Sequence, residues 1–172
     1  VEAAAKAFES FKNSSATERS IMLNRIADRL EENLDYLARV ETVDNGKAVR
    51  ETLNADLPLA IDHFRYFASV IRAEEGTLTE LNQNEVSLIV KEPIGVVAQI
   101  IPWNFPILMA VWKLAPALAA GNTVVLKPAE GTPISIKELI RLIADIIPEG
   151  VVNIVNGFGA KIGRALVTHP KV

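Results

Sequence analysis

The sequence predicts an α/β protein: a parallel sheet covered by helices, preceded by long N-terminal helices and a projecting β-hairpin arm. Three observations support this fold class. Apolar residues recur at helical spacing over the first part of the chain. The pattern then changes to the alternation of a strand pair near residues 77–92. Beyond that point short apolar strands alternate with amphipathic helices, which is typical of a parallel sheet with both faces covered.

The N-terminal part predicts two long helices. Ser15 and Glu18 have the spacing of a capping box, which starts the first helix. We expect it to continue to Asn45-Gly46. The second is expected over about residues 48–75, with a kink or break at Pro58. The inner stripe of the first helix consists of Leu23, Ile26, Leu30, Leu34 and Leu37.

The middle of the chain predicts a hairpin that turns at Asn82-Gln83-Asn84. A hydrophobic strand pair standing outside a core usually needs a partner. We therefore divide the chain into a helical part (residues 1–76), a hairpin (77–92) and a sheet domain (93–172). In the sheet domain we expect strands at 96–101, 123–126 and 151–155. We also expect a helix at 108–120 and a second one that runs up to Pro148, with Thr132 as its N-cap and Pro133 as its first residue.

Ligands of such sheets bind beyond the carboxyl ends of the strands. The first loop there, Pro102–Pro106, contains Asn104, whose amide can donate to a developing oxyanion if it is rigidly held. Spacing alone favours the alternative, a tight turn with Asn104 in a left-handed conformation. The second loop, Lys127–Glu130, offers an ammonium and a carboxylate that suit the ribose or phosphate of a dinucleotide. Its alternative is a solvated charge pair.

The third loop, Gly157–Gly163, reads Gly-x-Gly-x-x-x-Gly. This is one residue longer than the dinucleotide-binding spacing Gly-x-Gly-x-x-Gly, in which the glycines set how backbone amides face a pyrophosphate. The alternative is an ordinary glycine-rich turn between a strand and a helix.

Composition excludes several classes of function. The net charge of −3 disfavours a nucleic-acid partner. The absence of cysteine rules out a disulfide framework and a thiolate metal site within these residues, and the two histidines lie far apart, so no metal is expected. No apolar run reaches the roughly 18 residues of a membrane span. We expect a protein of the cytoplasm.

In this order the motifs resemble the aldehyde dehydrogenase superfamily, over essentially the whole chain. The matching segments are Val43–Lys47, Glu92–Val97, Ile101–Pro106, Ala119–Glu130 and Val151–Gly159. The resemblance implies a Rossmann-like domain and NAD(P)-dependent oxidation of an aldehyde to an acid, in which a cysteine forms a thiohemiacetal, hydride passes to the nicotinamide and a glutamate activates water. It also implies that the hairpin belongs to an oligomerisation arm, and hence a homodimer or homotetramer.

The resemblance assigns roles to residues of the three loops. Asn104 matches the oxyanion-stabilising asparagine. The residues that match cofactor contacts are Ile101, Pro102, Trp103 and Asn104 in the nicotinamide channel, Lys127 and Glu130 at the adenosine ribose, and Gly159 and Gly163 beside the adenine. Because a carboxylate near the ribose 2′-hydroxyl repels a 2′-phosphate, NAD is expected rather than NADP.

Several residues that enzymes of that family need for catalysis and cofactor binding have no match in residues 1–172. Its nucleophilic cysteine, its general-base glutamate and a second phosphate-binding loop would follow Val172, so we expect a piece of a longer enzyme that is inactive alone. Two alternatives stay open at this stage. One is a CoA-acylating semialdehyde dehydrogenase, and the other is a non-catalytic module that binds nucleotide or oligomerises through its hairpin.

Overall fold

The computed structural model describes all of residues 1–172. The predicted capping box is confirmed: the Ser15 hydroxyl accepts from the Glu18 amide at 3.1 Å, and the Glu18 carboxylate accepts from the Ser15 amide at 2.7 Å. The helical elements of the N-terminal part are α1 (Glu2–Phe11), α2 (Ala16–Glu32), α3 (Leu34–Asn45), α4 (Val49–Glu51), a π-helical turn (Thr52–Asp56) and α5 (Leu57–Val70).

The prediction of one helix up to Asn45 is wrong, because the helix breaks at Asn33. The Asn33 side chain donates to the Arg29 carbonyl at 2.8 Å, a local bond that competes with helix continuation. The apolar stripe nevertheless crosses the break, since Leu30 and Leu37 are buried in one core. α3 ends at Gly46, as the sequence predicted, and Gly46 adopts the left-handed conformation.

The expected disturbance at Pro58 is a π-helical turn rather than a simple kink. Pro58 has no amide hydrogen with which to continue an α-helical ladder. The preceding chain therefore widens, and the Leu57 amide donates to the Thr52 carbonyl, five residues back. The helix also ends at Val70, earlier than the predicted limit near residue 75.

The predicted hairpin is confirmed as β1 (Thr77–Asn82) and β2 (Glu85–Ile89), which pair antiparallel. Leu78 lies opposite Leu88, and both side chains are exposed. Nearly every residue of the two strands is exposed, so the hairpin projects from the rest of the chain as an arm.

The second half is a three-stranded parallel sheet of order β3-β4-β5, with helices between its strands. Val124 and Leu126 of the central strand pack into the main helical core, whereas Val125 faces a smaller cluster with Ala4 and Leu166. Both faces are thus covered, as predicted. The elements are β3 (Val96–Ile100), α6 (Pro106–Ala119), β4 (Thr123–Lys127), α7 (Ile134–Ile143), β5 (Val152–Ile154), a second π-helical turn (Gly159–Gly163) and α8 (Arg164–Val167).

Both predicted ends of α7 need correction. Pro133 occupies the N-cap position, and the Thr132 hydroxyl is buried without a hydrogen-bond partner, so Thr132 is not the cap. At the other end the helix stops at Ile143 rather than continuing to Pro148. The Ile146 amide then bonds back to the Ile143 carbonyl in a tight turn.

The start of β3 is fixed by a side chain from the connection that precedes β4. The Asn122 side-chain oxygen accepts from the amides of Ile94 and Gly95 at 2.8 and 3.1 Å. This contact locks the entry of β3 beside the entry of β4. None of the helices combines the length and the apolar character that crossing a membrane requires.

Candidate functional site

The strand register brings the three loops together at one edge of the sheet. Ile100, the last residue of β3, is the partner of Lys127, the last residue of β4. Ile154 closes β5 beside Leu126. A Cβ on Gly163 would lie 3.7 Å from the Ile100 side chain and 4.0 Å from that of Lys127, so the third loop packs on the ends of the first two strands.

Lys127 is the most constrained residue of the second loop. Its side chain is only 2% exposed, and its ammonium donates to the Pro128 carbonyl at 3.0 Å and to the Glu130 carboxylate at 3.3 Å. The solvated charge pair weighed as an alternative is therefore wrong for Lys127. A buried ammonium with two oxygen partners fixes the shape of the loop that carries it.

Glu130 presents the accessible charge of this loop, with a side chain that is 50% exposed. Hydrogen bonds from its own backbone amide and from Lys127, the charge of Lys127, and the backbone amide of Gly159 lower the pKa of Glu130. The carboxylate is thus ionised at neutral pH and linked to both the second and the third loop. An ionised, half-exposed carboxylate can accept hydrogen bonds from a polyol such as ribose.

The first loop is held at its flanks while its centre is exposed. The Ile101 side chain is 3% exposed and belongs to the core, so any ligand contact of Ile101 would come from its main chain. Pro102 and Asn104 are exposed, and Trp103 is 65% exposed. No residue other than glycine has a positive φ, so the alternative of a left-handed Asn104 is wrong.

The glycines of the third loop have different physical roles. Gly157 has φ 145°, and a Cβ there would lie 2.5 Å from the Ile162 side chain, so only glycine fits. Gly159 is exposed with open space at its α-carbon, whereas Gly163 is buried above β3 and β4. An approaching ligand would therefore meet Gly159 and not Gly163.

Two carboxylates near the loops were missed as site residues by the sequence analysis. Glu41 on α3 is fully buried and accepts from the Ile107 amide, at the start of α6, at 3.0 Å. Asp44, one turn later, accepts from the Ser135 amide, at the start of α7, at 2.9 Å. Asp44 lay within a segment that matched the family, but no pattern indicated that these side chains cap helices distant in sequence.

Burial raises the pKa of Glu41 to about 7, although the hydrogen bond from Ile107 opposes that shift. The negative charges of Asp56 and Asp44 raise it further, and the positive charge of Lys47 lowers it. Only one of the two carboxyl oxygens has a hydrogen-bond partner, since Oε1 is buried without one. The protonated and ionised forms of Glu41 therefore coexist near neutral pH.

A separate cavity of about 440 Å³ lies at the base of the hairpin. Arg19, Glu74 and Lys91 contribute charged side chains to its wall. It lies away from the three loops and shares none of their residues. Its position on the arm makes it part of the hairpin surface rather than of the candidate site.

Comparison with known proteins decides the family. The model of the aldehyde dehydrogenase family matches residues 1–172. The chain belongs to the aldehyde dehydrogenase family. It is 62% identical over its full length to an EPTC-inducible aldehyde dehydrogenase of Rhodococcus erythropolis and 60% identical to a long-chain-aldehyde dehydrogenase of Acinetobacter sp., and it covers 34% of each. The chain thus spans about a third of the length of those relatives.

Solved structures of the family agree with the fold. PnpE in complex with nicotinamide adenine dinucleotide superposes with a TM-score of 0.96 at 41% identity, over 99% of this chain and 35% of that one. A point mutant of betaine aldehyde dehydrogenase from Staphylococcus aureus, in complex with NAD⁺, superposes with a TM-score of 0.95 at 39% identity and the same coverage. The Rossmann-like fold predicted from the sequence is confirmed.

The raised pKa of Glu41 predicts a pH-dependent cost to stability. The unfolded carboxyl titrates at 4.5 and the folded one at about 7, so the folded state binds more protons between these values. Stability is therefore lost as pH rises from 4.5 to about 7, by about 3 kcal/mol at 1.4 kcal/mol per unit of pKa. Glu41→Gln removes this loss while keeping an acceptor for Ile107.

Urea unfolding of the parent protein and of the Glu41→Gln variant, compared from pH 4.5 to pH 8, measures the effect. We expect the variant to gain relative stability with rising pH and to level off above about pH 7. Glu149→Gln, a change at an exposed carboxyl, is the matched control. A constant difference between parent and Glu41→Gln across this range would contradict the buried, titrating carboxyl.

Proposed function

We propose that the intact protein oxidises an aldehyde to a carboxylic acid with NAD as the hydride acceptor, and that these residues form its cofactor-binding part. The observation that carries the proposal is the meeting of three loops at the carboxyl edge of the sheet, with Asn104 and Glu130 exposed there. Family membership and the NAD complexes of similar structures support it.

The exposed residues of the three loops fit a dinucleotide. Glu130 would accept hydrogen bonds from the adenosine ribose, and the contact of Lys127 with Glu130 supports this proposal. Gly159 leaves room beside that carboxylate for a flat base. The main chain of Ile101 together with Pro102 and Trp103 would border the nicotinamide end, and buried Gly163 keeps the third loop close to the strands. A bound dinucleotide supplies the hydride acceptor.

Asn104 is proposed as the catalytic residue of this part of the enzyme. When a nucleophile adds to the aldehyde carbon, negative charge develops on the carbonyl oxygen. A side-chain amide in a held loop can donate to that oxygen and lower the barrier to addition. These residues contain no cysteine, so the proposed thiol nucleophile, which would form the thiohemiacetal, belongs to another part of the protein. The general-base glutamate is likewise proposed to lie outside these residues.

Glu130 also supports NAD over NADP. A phosphate on the ribose 2′-oxygen would place negative charge against a carboxylate that the Lys127 and amide contacts keep ionised. Like charges at about 4 Å repel by about 1 kcal/mol in water and more near a protein surface. The ribose of NAD instead offers a hydroxyl that donates to the carboxylate.

The hairpin supports a homodimer or homotetramer of the intact protein. Its apolar side chains are mostly exposed, and a strand pair with exposed edges and faces needs a cover. A second copy of the same chain is the proposed cover. The cytoplasmic location stays a prediction.

Replacement of Asn104 by alanine in the full-length enzyme removes the proposed oxyanion donor. We expect kcat to fall by roughly 100-fold or more, as the loss of one such donor typically does, with little change in the dissociation constant for NAD. Steady-state kinetics with an aldehyde substrate and titration calorimetry with NAD measure the two quantities. Asn54→Ala, at an exposed helical asparagine, is the matched control, and an unchanged kcat for Asn104→Ala would reject the role.

The preference for NAD is measured as the ratio of dissociation constants for NADP and NAD on the full-length protein. We expect NAD to bind about tenfold more tightly, the equivalent of roughly 1.4 kcal/mol. Glu130→Gln keeps an acceptor for the ribose but removes the charge, and should narrow the ratio mainly by improving NADP binding. Equal affinities of the parent protein for both cofactors would sink the proposal.

The role of the hairpin is tested with the double variant Leu78→Glu and Leu88→Glu, which places two carboxylates opposite each other on one strand pair. We expect light scattering during gel filtration to show a smaller assembly than that of the parent protein. Leu59→Glu, at an exposed leucine of α5, is the control. If the double variant keeps the parent mass, the hairpin is not the proposed interface.

A further inference from the structure

The C-terminal turn of α3 and the residues that follow it contact the first loop of the site and the first turns of α6 and α7, the helices that follow the first two loops. We call residues Glu41–Lys47 the α3 clasp. We propose that this clasp positions the first loop against the second, with Glu41 and Asn45 acting on the Asn104 loop and Asp44 acting on the Lys127–Glu130 loop. This inference rests on the proposed function, because it assigns positioning residues to that reaction.

Glu41 completes the start of α6, the helix that begins where the first loop ends. The first helical residue is Pro106, which has no amide hydrogen, and Phe105 at the N-cap position offers no side-chain cap. The Ile107 amide is therefore the first helical donor that needs a partner. Glu41 Oε2 accepts it at 3.0 Å, across 66 positions of sequence.

Asp44 does the same for α7, the helix that follows the second loop. Pro133 at the N-cap position cannot cap through a side chain, and the Thr132 hydroxyl makes no hydrogen bond. The Ser135 amide is instead bound by Asp44 Oδ2 at 2.9 Å. Because Glu41 and Asp44 are three residues apart on one helix, they lie on one face and hold both helices at a fixed separation.

The remaining clasp residues hold the first loop directly. The Asn45 amide nitrogen donates to the Trp103 carbonyl at 2.6 Å, while its oxygen accepts from the Lys47 amide at 3.1 Å. The Lys47 ammonium lies 3.6 Å from the centre of the Phe105 ring and pairs with Asp56. The residues on both sides of Asn104 are thus contacted by the clasp.

Stability alone is a poor account of Glu41. A buried carboxyl with one unpartnered oxygen destabilises the fold when ionised, whereas an uncharged acceptor would cap α6 without that cost. Glu41 and Asp44 lie on one rigid helix, so together they fix the position of the first loop relative to the second, and the proposed reaction depends on that separation. The two carboxylates also occupy the amino ends of α6 and α7, which could otherwise attract ligand phosphate.

Loss of Glu41 and loss of Asp44 are expected to change different kinetic parameters of the full-length enzyme. Glu41→Leu removes the cap behind Asn104, and we expect kcat to fall about 10-fold to 100-fold, as misplacement of a reacting group by about 1 Å does. The KM for NAD should change little. Asp44→Ala should instead raise the KM for NAD about threefold to tenfold, as the loss of one hydrogen bond does, and leave kcat near the parent value.

Conservative variants separate positioning from charge. Glu41→Gln and Asp44→Asn keep an acceptor for the Ile107 and Ser135 amides. We expect Glu41→Gln to keep most of the parent kcat, and Asp44→Asn to keep a KM for NAD close to that of the parent. Asp35→Asn, an exposed change on the same helix whose parent carboxylate pairs only with Arg39, is the matched control. Asn45→Ala removes the bond to the Trp103 carbonyl from a partly exposed position and should lower kcat as Glu41→Leu does, even if Glu41→Leu does not fold.

Hydrogen exchange of backbone amides gives a readout that is independent of activity. We expect faster exchange at residues 103–107 in Glu41→Leu and Asn45→Ala, and at residues 129–135 in Asp44→Ala, with recovery in the Gln and Asn variants. If the parent enzyme does not oxidise aldehydes, the proposed function is wrong, but hydrogen exchange still shows whether the clasp holds the two loops. Three outcomes would each overturn the proposed role of the clasp. The first is unchanged hydrogen exchange in the disruptive variants, and the second is the same fall in kcat and the same rise in KM for NAD in all of them. The third is faster exchange at the two loops with unchanged kinetics.

Discussion

The parallel pairing of β3 with β4 is the constraint on which the site depends. It places Ile100 beside Lys127, so that the first two loops leave the sheet at neighbouring points. Asn122 fixes the opposite end of the same pair by binding the amides of Ile94 and Gly95. A shift of one residue in this register would turn Val124 and Val125 to the wrong cores and would also separate the loops.

The polar and charged side chains of the site fall into a buried group and an exposed group. Lys127 and Glu41 lie in the interior, where each has few partners and each shapes a loop. Glu130 and Asn104 lie at the surface, where a ligand can reach them. Buried charges bound to backbone groups set the geometry, and the exposed groups carry the proposed chemistry.

The fold was largely predictable because its signals are local. The capping box at Ser15, the hairpin turn and the alternation of apolar strands with helices each lie within a short window of sequence, and the structure confirms them. The errors also have local causes: the Asn33 side chain bonds to the Arg29 carbonyl and interrupts the helix, and the Thr132 hydroxyl makes no hydrogen bond and does not cap α7. The candidate site was predictable only in part. Motifs indicated the loops, but the contacts of Glu41 and Asp44 join residues 66 and 91 positions apart, and no local pattern records such pairs.

The burial of Lys127 has a chemical consequence. Amine-reactive reagents and acetylating enzymes need access to the ammonium, and this one is enclosed by Pro128, Glu130 and the packed third loop. The folded molecule therefore shields from covalent modification the lysine that shapes the Lys127–Glu130 loop, and labelling of that lysine would report opening of the sheet edge.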